Sequence, residues 1–203
     1  MIKNLIFDCG GVVLEVDYAL SLTKFREFSD KPELFDSVTA NHFKAIASDF
    51  ETGRKSIEEF YSDIRYKYKL NATDIQIKDA WNAMLVSYIS ESLDIIRKLK
   101  EIFTVSLFTN TNELHYIEFA PRCKELLSTF DNCFYSFQMG LRKPDKASFE
   151  YIINKSGYIP SETMFIDDSL DNVNTASEVG IIPFHYTKEW NLTKLYSYLT
   201  EQQ

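Results

Sequence analysis

The chain is short of cysteine, histidine and positive charge, and it has no long hydrophobic run. Its three cysteines, Cys9, Cys123 and Cys133, are an odd number without framework spacing. A secreted, disulfide-built fold is therefore excluded, and a reducing compartment, by default the cytoplasm, is expected. His42, His115 and His185 are the three histidines, and their spacing does not fit a metal triad. Lys and Arg number 22 against 30 Asp and Glu, a formal net charge of −8. A nucleic-acid or anionic-membrane surface needs a basic patch, so neither partner is expected. No apolar stretch approaches the ~20 residues that span a bilayer. The first residues read directly as a strand, without the basic region, apolar stretch and cleavage site of a signal peptide, so none is expected. Internal repeats and low-complexity segments are also missing.

What is present is enough chain, 203 residues, to bury a real core and to carry a smaller inserted unit. Phe and Tyr are plentiful, 16 and 12, and read first as core. An apolar strand pattern ends at Phe7, and from there to Val105 the periodicity is helical. Tyr18 to Phe28 is amphipathic, Glu33 to Phe50 follows Pro32, and Ser56 and Thr73 open helices with capping-box spacing to Glu59 and Gln76. From Phe103 strands and helices alternate, with strands expected at 103–108, 133–137, 164–166 and 181–185. The pattern predicts an α/β fold: a Rossmann-like parallel sheet with helices on both faces, plus an inserted α-helical cap. The expected division is 1–16 and 91–203 for the sheet domain and 17–90 for the cap.

Four short pieces carry chemistry. Asp8 follows Leu5-Ile6-Phe7, Thr109-Asn110 follows Val105-Ser106-Leu107-Phe108, Lys143 lies in Arg142-Lys143-Pro144, and Asp167-Asp168 follows Met164-Phe165-Ile166. Any one aspartate after an apolar run reads as a turn or a helix cap. Together they gather three carboxylates, a hydroxyl and an ammonium at the carboxyl ends of strands, where open α/β sheets bind ligands. That set suits magnesium and a phosphate. Phosphoryl transfer needs in-line attack and neutralised oxygens. Asp8 is the candidate nucleophile. Asp167 and Asp168 join it as oxygen ligands for Mg²⁺. Thr109 and Asn110 offer donors to phosphate oxygens, and Lys143 supplies a compact positive charge to the phosphate or to the nucleophile.

The ordered set Asp8, Thr109, Lys143 and Asp167-Asp168 resembles the haloacid dehalogenase-like hydrolase superfamily, in the subclass with a helical cap after the first strand. The resemblance covers nearly the whole chain. Phe7-Asp8-Cys9-Gly10-Gly11-Val12-Val13, Thr109-Asn110-Thr111-Asn112, Gly140-Leu141-Arg142-Lys143-Pro144 and Asp167-Asp168-Ser169-Leu170-Asp171-Asn172 are similar to its bacterial sugar-phosphate phosphatase branch. The resemblance implies Asp8 as nucleophile and metal ligand, Asp168 as direct ligand and Asp167 as a partner in the shell behind it. It further implies Thr109, Asn110 and Lys143 on the phosphate, and a small phosphorylated metabolite as substrate.

One position departs from that family's pattern. A second aspartate two residues after the nucleophile usually serves as general acid and base, and here that residue is Gly10. Its carbonyl can face the metal but cannot shuttle a proton, and loss of such a group typically costs ~10²–10⁴-fold in rate. Glu15 and Asp17 are the carboxylates nearest in sequence. The competing readings are a catalytically weak phosphate-binding or regulatory protein and, with no use for the acidic pair, a dehalogenase. Around the rim, Glu51-Thr52-Gly53-Arg54-Lys55-Ser56 resembles the family's cap loop that reaches toward the site, with Arg54 and Lys55 read as a solvated loop before substrate contacts; Cys9 reads as packing away from the site, and His115 as bordering the pocket. Tyr61, Tyr66 and Tyr68 are left open between surface, pocket and interface.

Overall fold

The computed structural model describes residues 1–201. The chain runs β1 (Asn4–Phe7), β2 (Leu14–Val16), α1 (Tyr18–Glu27), α2 (Ala40–Glu51), α3 (Ile57–Tyr68), α4 (Asp74–Asn82) and β3 (Leu85–Tyr88). It continues with α5 (Ser90–Lys100), β4 (Thr104–Thr109), α6 (Glu113–Arg122), α7 (Lys124–Thr129), β5 (Asn132–Tyr135) and α8 (Ser136–Met139). The last third holds α9 (Lys146–Ser156), β6 (Thr163–Asp167), α10 (Leu170–Glu178), β7 (Ile182–His185) and α11 (Leu192–Thr200). No helix among the described residues is long and apolar enough to cross a membrane.

Five strands form one parallel sheet in the order β5-β4-β1-β6-β7. Its central strands are buried on both faces, as their unbroken apolar runs require. Alternation along each strand divides the core in two. Leu5, Phe7, Val105, Leu107, Met164 and Ile166 join the larger cluster, which α5, α7 and α11 cover. Ile6, Phe108 and Phe165 turn the other way, onto Phe149, Ile152 and Ala176 of α9 and α10. From β1 the chain fills one side of the sheet with β4 and β5 and then the other with β6 and β7. Strand order therefore reverses at β1, and the crevice beyond its carboxyl end is the natural ligand site.

The helices α1 to α4 pack around aromatic rings. Phe50 stacks on Phe60 at 4.4 Å and Phe43 on Trp81 at 5.5 Å, while Phe60 meets Trp81 tilted at 4.8 Å. Capping boxes start α3 and α4 where the sequence signals them. Ser56 N donates to Glu59 Oε2 at 2.8 Å, and Thr73 N donates to Gln76 Oε1 at 2.8 Å.

Three local expectations are corrected. The stretch up to Val105 is not helical throughout, because Leu14–Val16 pairs antiparallel with Leu85–Tyr88 as a two-stranded ribbon flanking the inserted helices. Strands this short, whose partner lies some 70 positions away, leave little local periodicity to read. The expected helix from Glu33 splits into a 3₁₀ turn at Pro32–Phe35 and α2, which begins at Ala40 after the Thr39 cap. The strand expected to reach residue 137 stops at Tyr135, where Ser136–Met139 closes one helical turn ended by Gly140 at φ 73°.

Candidate active site

Asp8 stands one residue past β1. Its backbone N–H still donates to Ile166 O at 2.8 Å, which fixes the residue at the reversal of strand order. The next turn winds back on itself, with the Cys9 carbonyl accepting from Val13 N at 2.9 Å and Leu14 N at 2.8 Å. Gly11 holds φ +82° there, and a Cβ would come within 2.5 Å of Asp168 Oδ2. Glycine at position 11 thus lets the β1 turn and the β6 end touch. Cys9 itself is packed in the larger core, and burial pushes its thiol well up, so it stays protonated.

Lys143 joins the two strand ends. Its Nζ donates to Asp8 Oδ1 at 2.7 Å, to Asp167 Oδ2 at 2.7 Å and to Phe108 O at 2.9 Å, with the side chain only 1% exposed. All three ammonium donors are satisfied. Burial pushes this ammonium down, but the Asp167 and Asp8 carboxylates outweigh it and the net shift is upward. Asp8 is pushed up to about 7: burial contributes most, the Lys143 ammonium opposes it, and the Asp167 charge adds to it.

The backbone of Lys143 is held as firmly as its head. Asn110 donates from Nδ2 to Lys143 O at 2.8 Å and accepts from Lys143 N at 2.9 Å, a two-point clamp on one residue. The Asn110 amide is thereby spent on the loop. Asp167, with no exposed surface, takes further bonds from Ser169 N at 2.8 Å and from Asn172 Nδ2, 3.0 Å to each oxygen. Thr109, the last residue of β4, is buried beside them.

One carboxylate oxygen from each of Asp8, Asp167 and Asp168 falls within 4.8 Å of the others. Three carboxylates around one ammonium carry a formal excess of negative charge, and an all-oxygen donor set of this kind fits a hard divalent cation. Asp8 and Asp168, with the Gly10 carbonyl, have the donors for it. Asp167 is already committed to Lys143, Ser169 and Asn172.

A cavity of about 350 Å³ opens over this rim and is closed on the far side by the inserted helices. Phe43, Trp81, Met84 and Tyr18 give it an aromatic and apolar wall. His115 borders it, as the sequence suggested. Its ring stacks on Trp81 at 4.9 Å, and burial, opposed by a bond to the Trp81 carbonyl, pushes it down to about 4. Arg54 and Lys55 do not line this cavity; Arg54 is exposed and Lys55 pairs with Asp63. Glu15 and Asp17 are also outside its lining, and Asp17 instead caps α1 by accepting from Ala19 N at 2.9 Å. Tyr61 and Tyr68 are buried elsewhere, and Tyr66 is 78% exposed.

Two polar side chains without an assigned role in the sequence reading face the cavity. Glu51 ends α2 and Arg142 precedes Lys143, and the two pair at 2.8 Å. Arg142 stood beside a singled-out lysine, and that adjacency was its only signal. Glu51 heads the cap-loop stretch and Asn172 closes the Asp167–Asn172 motif, but neither carries an assigned role in the sequence reading.

Comparison with known proteins agrees with this geometry. A family model described as haloacid dehalogenase-like hydrolase matches residues 2–180. The D-ribitol-5-phosphate phosphatase of Bacteroides thetaiotaomicron is 30% identical over 191 residues, 91% of each chain. A crystal structure of a mutant HAD-family enzyme from Bacteroides thetaiotaomicron, in complex with magnesium and inorganic phosphate, is similar at TM-score 0.86. It is 28% identical and the match covers 97% of this chain and 99% of that one. A HAD-like family hydrolase from Porphyromonas gingivalis matches over the full length of both chains at TM-score 0.84 and 31% identity.

Proposed function

Because the chain belongs to the haloacid dehalogenase-like hydrolase family, we propose that it is a magnesium-dependent phosphatase acting on a small sugar or polyol phosphate. The observation that carries this is Asp8 at the reversal of strand order, tied through Lys143 to Asp167 and within reach of Asp168. The phosphatase activity of the Bacteroides thetaiotaomicron relative, on D-ribitol 5-phosphate, supports the substrate class.

The Asp8 carboxylate attacks phosphorus in line. As the new O–P bond forms, the bond to the leaving oxygen breaks, giving an aspartyl phosphate. Water then attacks the same phosphorus and regenerates the carboxylate. Lys143 favours the ionised form of Asp8 and aims it, Thr109 and the Asn110 main chain hold phosphate oxygens, and Asp167 anchors Lys143. Asp8, Asp168 and the Gly10 carbonyl would hold magnesium. When bound, that ion neutralises phosphate oxygens so that an anionic nucleophile can approach. Residues 17–90 act as the cap that shields the reaction, against 1–16 and 91–203 as the catalytic domain. Free, mostly buried cysteines go with a cytoplasmic setting.

A second reading, a phosphate-binding or regulatory protein with weak turnover, is favoured by one observation. A Cβ at Gly10 would start 3.3 Å from Val16 Cγ2, close enough that Val16 would have to give by a few tenths of an ångström, so the turn is fitted to a residue without a proton-shuttling side chain. In the phosphatase reading solvent protonates the leaving oxygen, which good leaving groups tolerate best. Phosphate release from para-nitrophenyl phosphate and a sugar-phosphate panel decides between them. It is measured with Mg²⁺ and with EDTA, using Asp8→Asn as the blank. Release that needs both Mg²⁺ and Asp8 is expected, with at least a ~10⁴-fold loss in the variant. No release above the blank from a folded protein would select the second reading.

A further inference from the structure

The cavity holds a polar pair that the phosphate chemistry leaves unused. Arg142 Nη2 pairs with Glu51 Oε2 at 2.8 Å, and the two side chains are 19% and 12% exposed. Arg142 Nη1 also donates to Ser48 Oγ at 3.4 Å. Its Nε–H is buried without a hydrogen-bond partner. Arg142 lines the cavity, and leaving a buried donor unmade costs free energy, so an acceptor that reaches its guanidinium from there is favoured.

We propose that Glu51 and Arg142 form the leaving-group subsite of this cavity and select a neutral, polyhydroxylated chain or ring. A hydroxyl is the group that answers both partners, accepting from the Arg142 Nε–H and donating to the Glu51 carboxylate. The pair is neutral overall. A second phosphate or a carboxylate on the substrate would meet the Glu51 charge, and an ammonium would meet Arg142. Phe43, Trp81 and Met84 line the same space and offer apolar surface to the C–H faces of a carbon chain. A purely apolar leaving group would fill that wall but strand the Arg142 Nε–H. The subsite rests on the phosphatase reading, because it is defined by the same cavity.

The test compares wild type with Glu51→Gln and Arg142→Lys, measuring kcat and KM on five- and six-carbon polyol phosphates and on para-nitrophenyl phosphate. The expected result is a loss of roughly 10²-fold in kcat/KM on the best polyol phosphate, mostly in KM, with the aryl phosphate nearly unchanged. Equal losses on both substrates would make the pair a mere clasp between α2 and the Lys143 loop and overturn the proposal. So would no loss on either, or turnover of the aryl phosphate alone. If wild type releases no phosphate at all, calorimetry on Asp8→Asn still decides. Tighter binding of a polyol phosphate than of inorganic phosphate, lost in Asp8→Asn/Glu51→Gln, keeps the subsite while the phosphatase reading falls. Equal affinities remove the subsite.

Discussion

At the strand-end rim, Asp8, Lys143 and Asp167 are 8%, 1% and 0% exposed and bond directly to one another. The wall that faces them is made of Phe43, Trp81, Met84 and a neutral His115, with one ion pair, Glu51–Arg142. The rim concentrates charge in a dry place, where its members depend on each other. The wall is mostly surface and shape. Damage to the rim should therefore spread through the network, whereas damage to the wall should stay local and fall on substrate choice.

The sharpest way to break this contrast is Lys143→Met. Two carboxylates then share a buried site with no ammonium, and breaking such a pair typically costs about 3–5 kcal/mol. In wild type Asp8 already titrates near 7 against 3.8 for an ordinary aspartate. Without Lys143 its folded pKa rises further. A raised folded pKa adds stability below the unfolded pKa and removes it as pH climbs through the folded one. The variant should thus be less destabilised at pH 5 than at pH 7 in urea melts, with phosphate release lost at both. A loss under about 1 kcal/mol at pH 7 would show that the rim is not interdependent.

A smaller effect is expected at the contact between the two strand ends. Gly11 and Gly157 both have positive φ, +82° and +67°. A Cβ at Gly11 meets Asp168, while at Gly157 it meets nothing within 4 Å. Either alanine substitution should cost about 1–2 kcal/mol in backbone strain. Only Gly11→Ala should also raise the Mg²⁺ concentration needed for half-maximal phosphate release, by about tenfold or more. Equal magnesium dependence in the two variants would separate Asp168 from the β1 turn.

The same contrast explains what could be read from the sequence. Each rim residue ends or follows a continuous apolar run, so position alone placed Asp8, Thr109 and Asp167 at strand ends, and the fold class came with them. Asn172 stood in the Asp167–Asn172 motif without a role, because its bond to Asp167 is formed by the first turn of α10, with no composition signal. The pairing of Glu51 was hidden for a longer-range reason. Glu51 faces Arg142 across 91 positions of sequence, and only the packing of α2 against the loop before α9 brings them together. The β2–β3 ribbon was illegible in the same way. Sequence periodicity reports which face of an element is buried, and the wall is decided by which elements meet.

The least of the expected effects concerns the histidine ring in that wall. His115 sits at about 4 against an ordinary 6.5, chiefly because burial disfavours its cation. Its hydrogen bonds agree with a neutral ring. Asn112 Oδ1 already accepts from Trp81 Nε1 at 3.3 Å and from His115 N at 3.1 Å, so the Asn112 amide turns its Nδ2 donor to His115 Nδ1 at 3.2 Å. Protonating Nδ1 would set donor against donor. Here the folded pKa is depressed, so the unfolded chain binds the extra proton between pH 6.5 and 4, and stability falls as pH falls through that window. From pH 7 to pH 5 the contribution is about 2 kcal/mol. His115→Gln removes it, so wild type should lose about that much more than the variant over the interval in parallel denaturant melts. Identical pH slopes would mean that the ring is charged or solvated in the folded state, and the wall would then share the rim's dependence on charge.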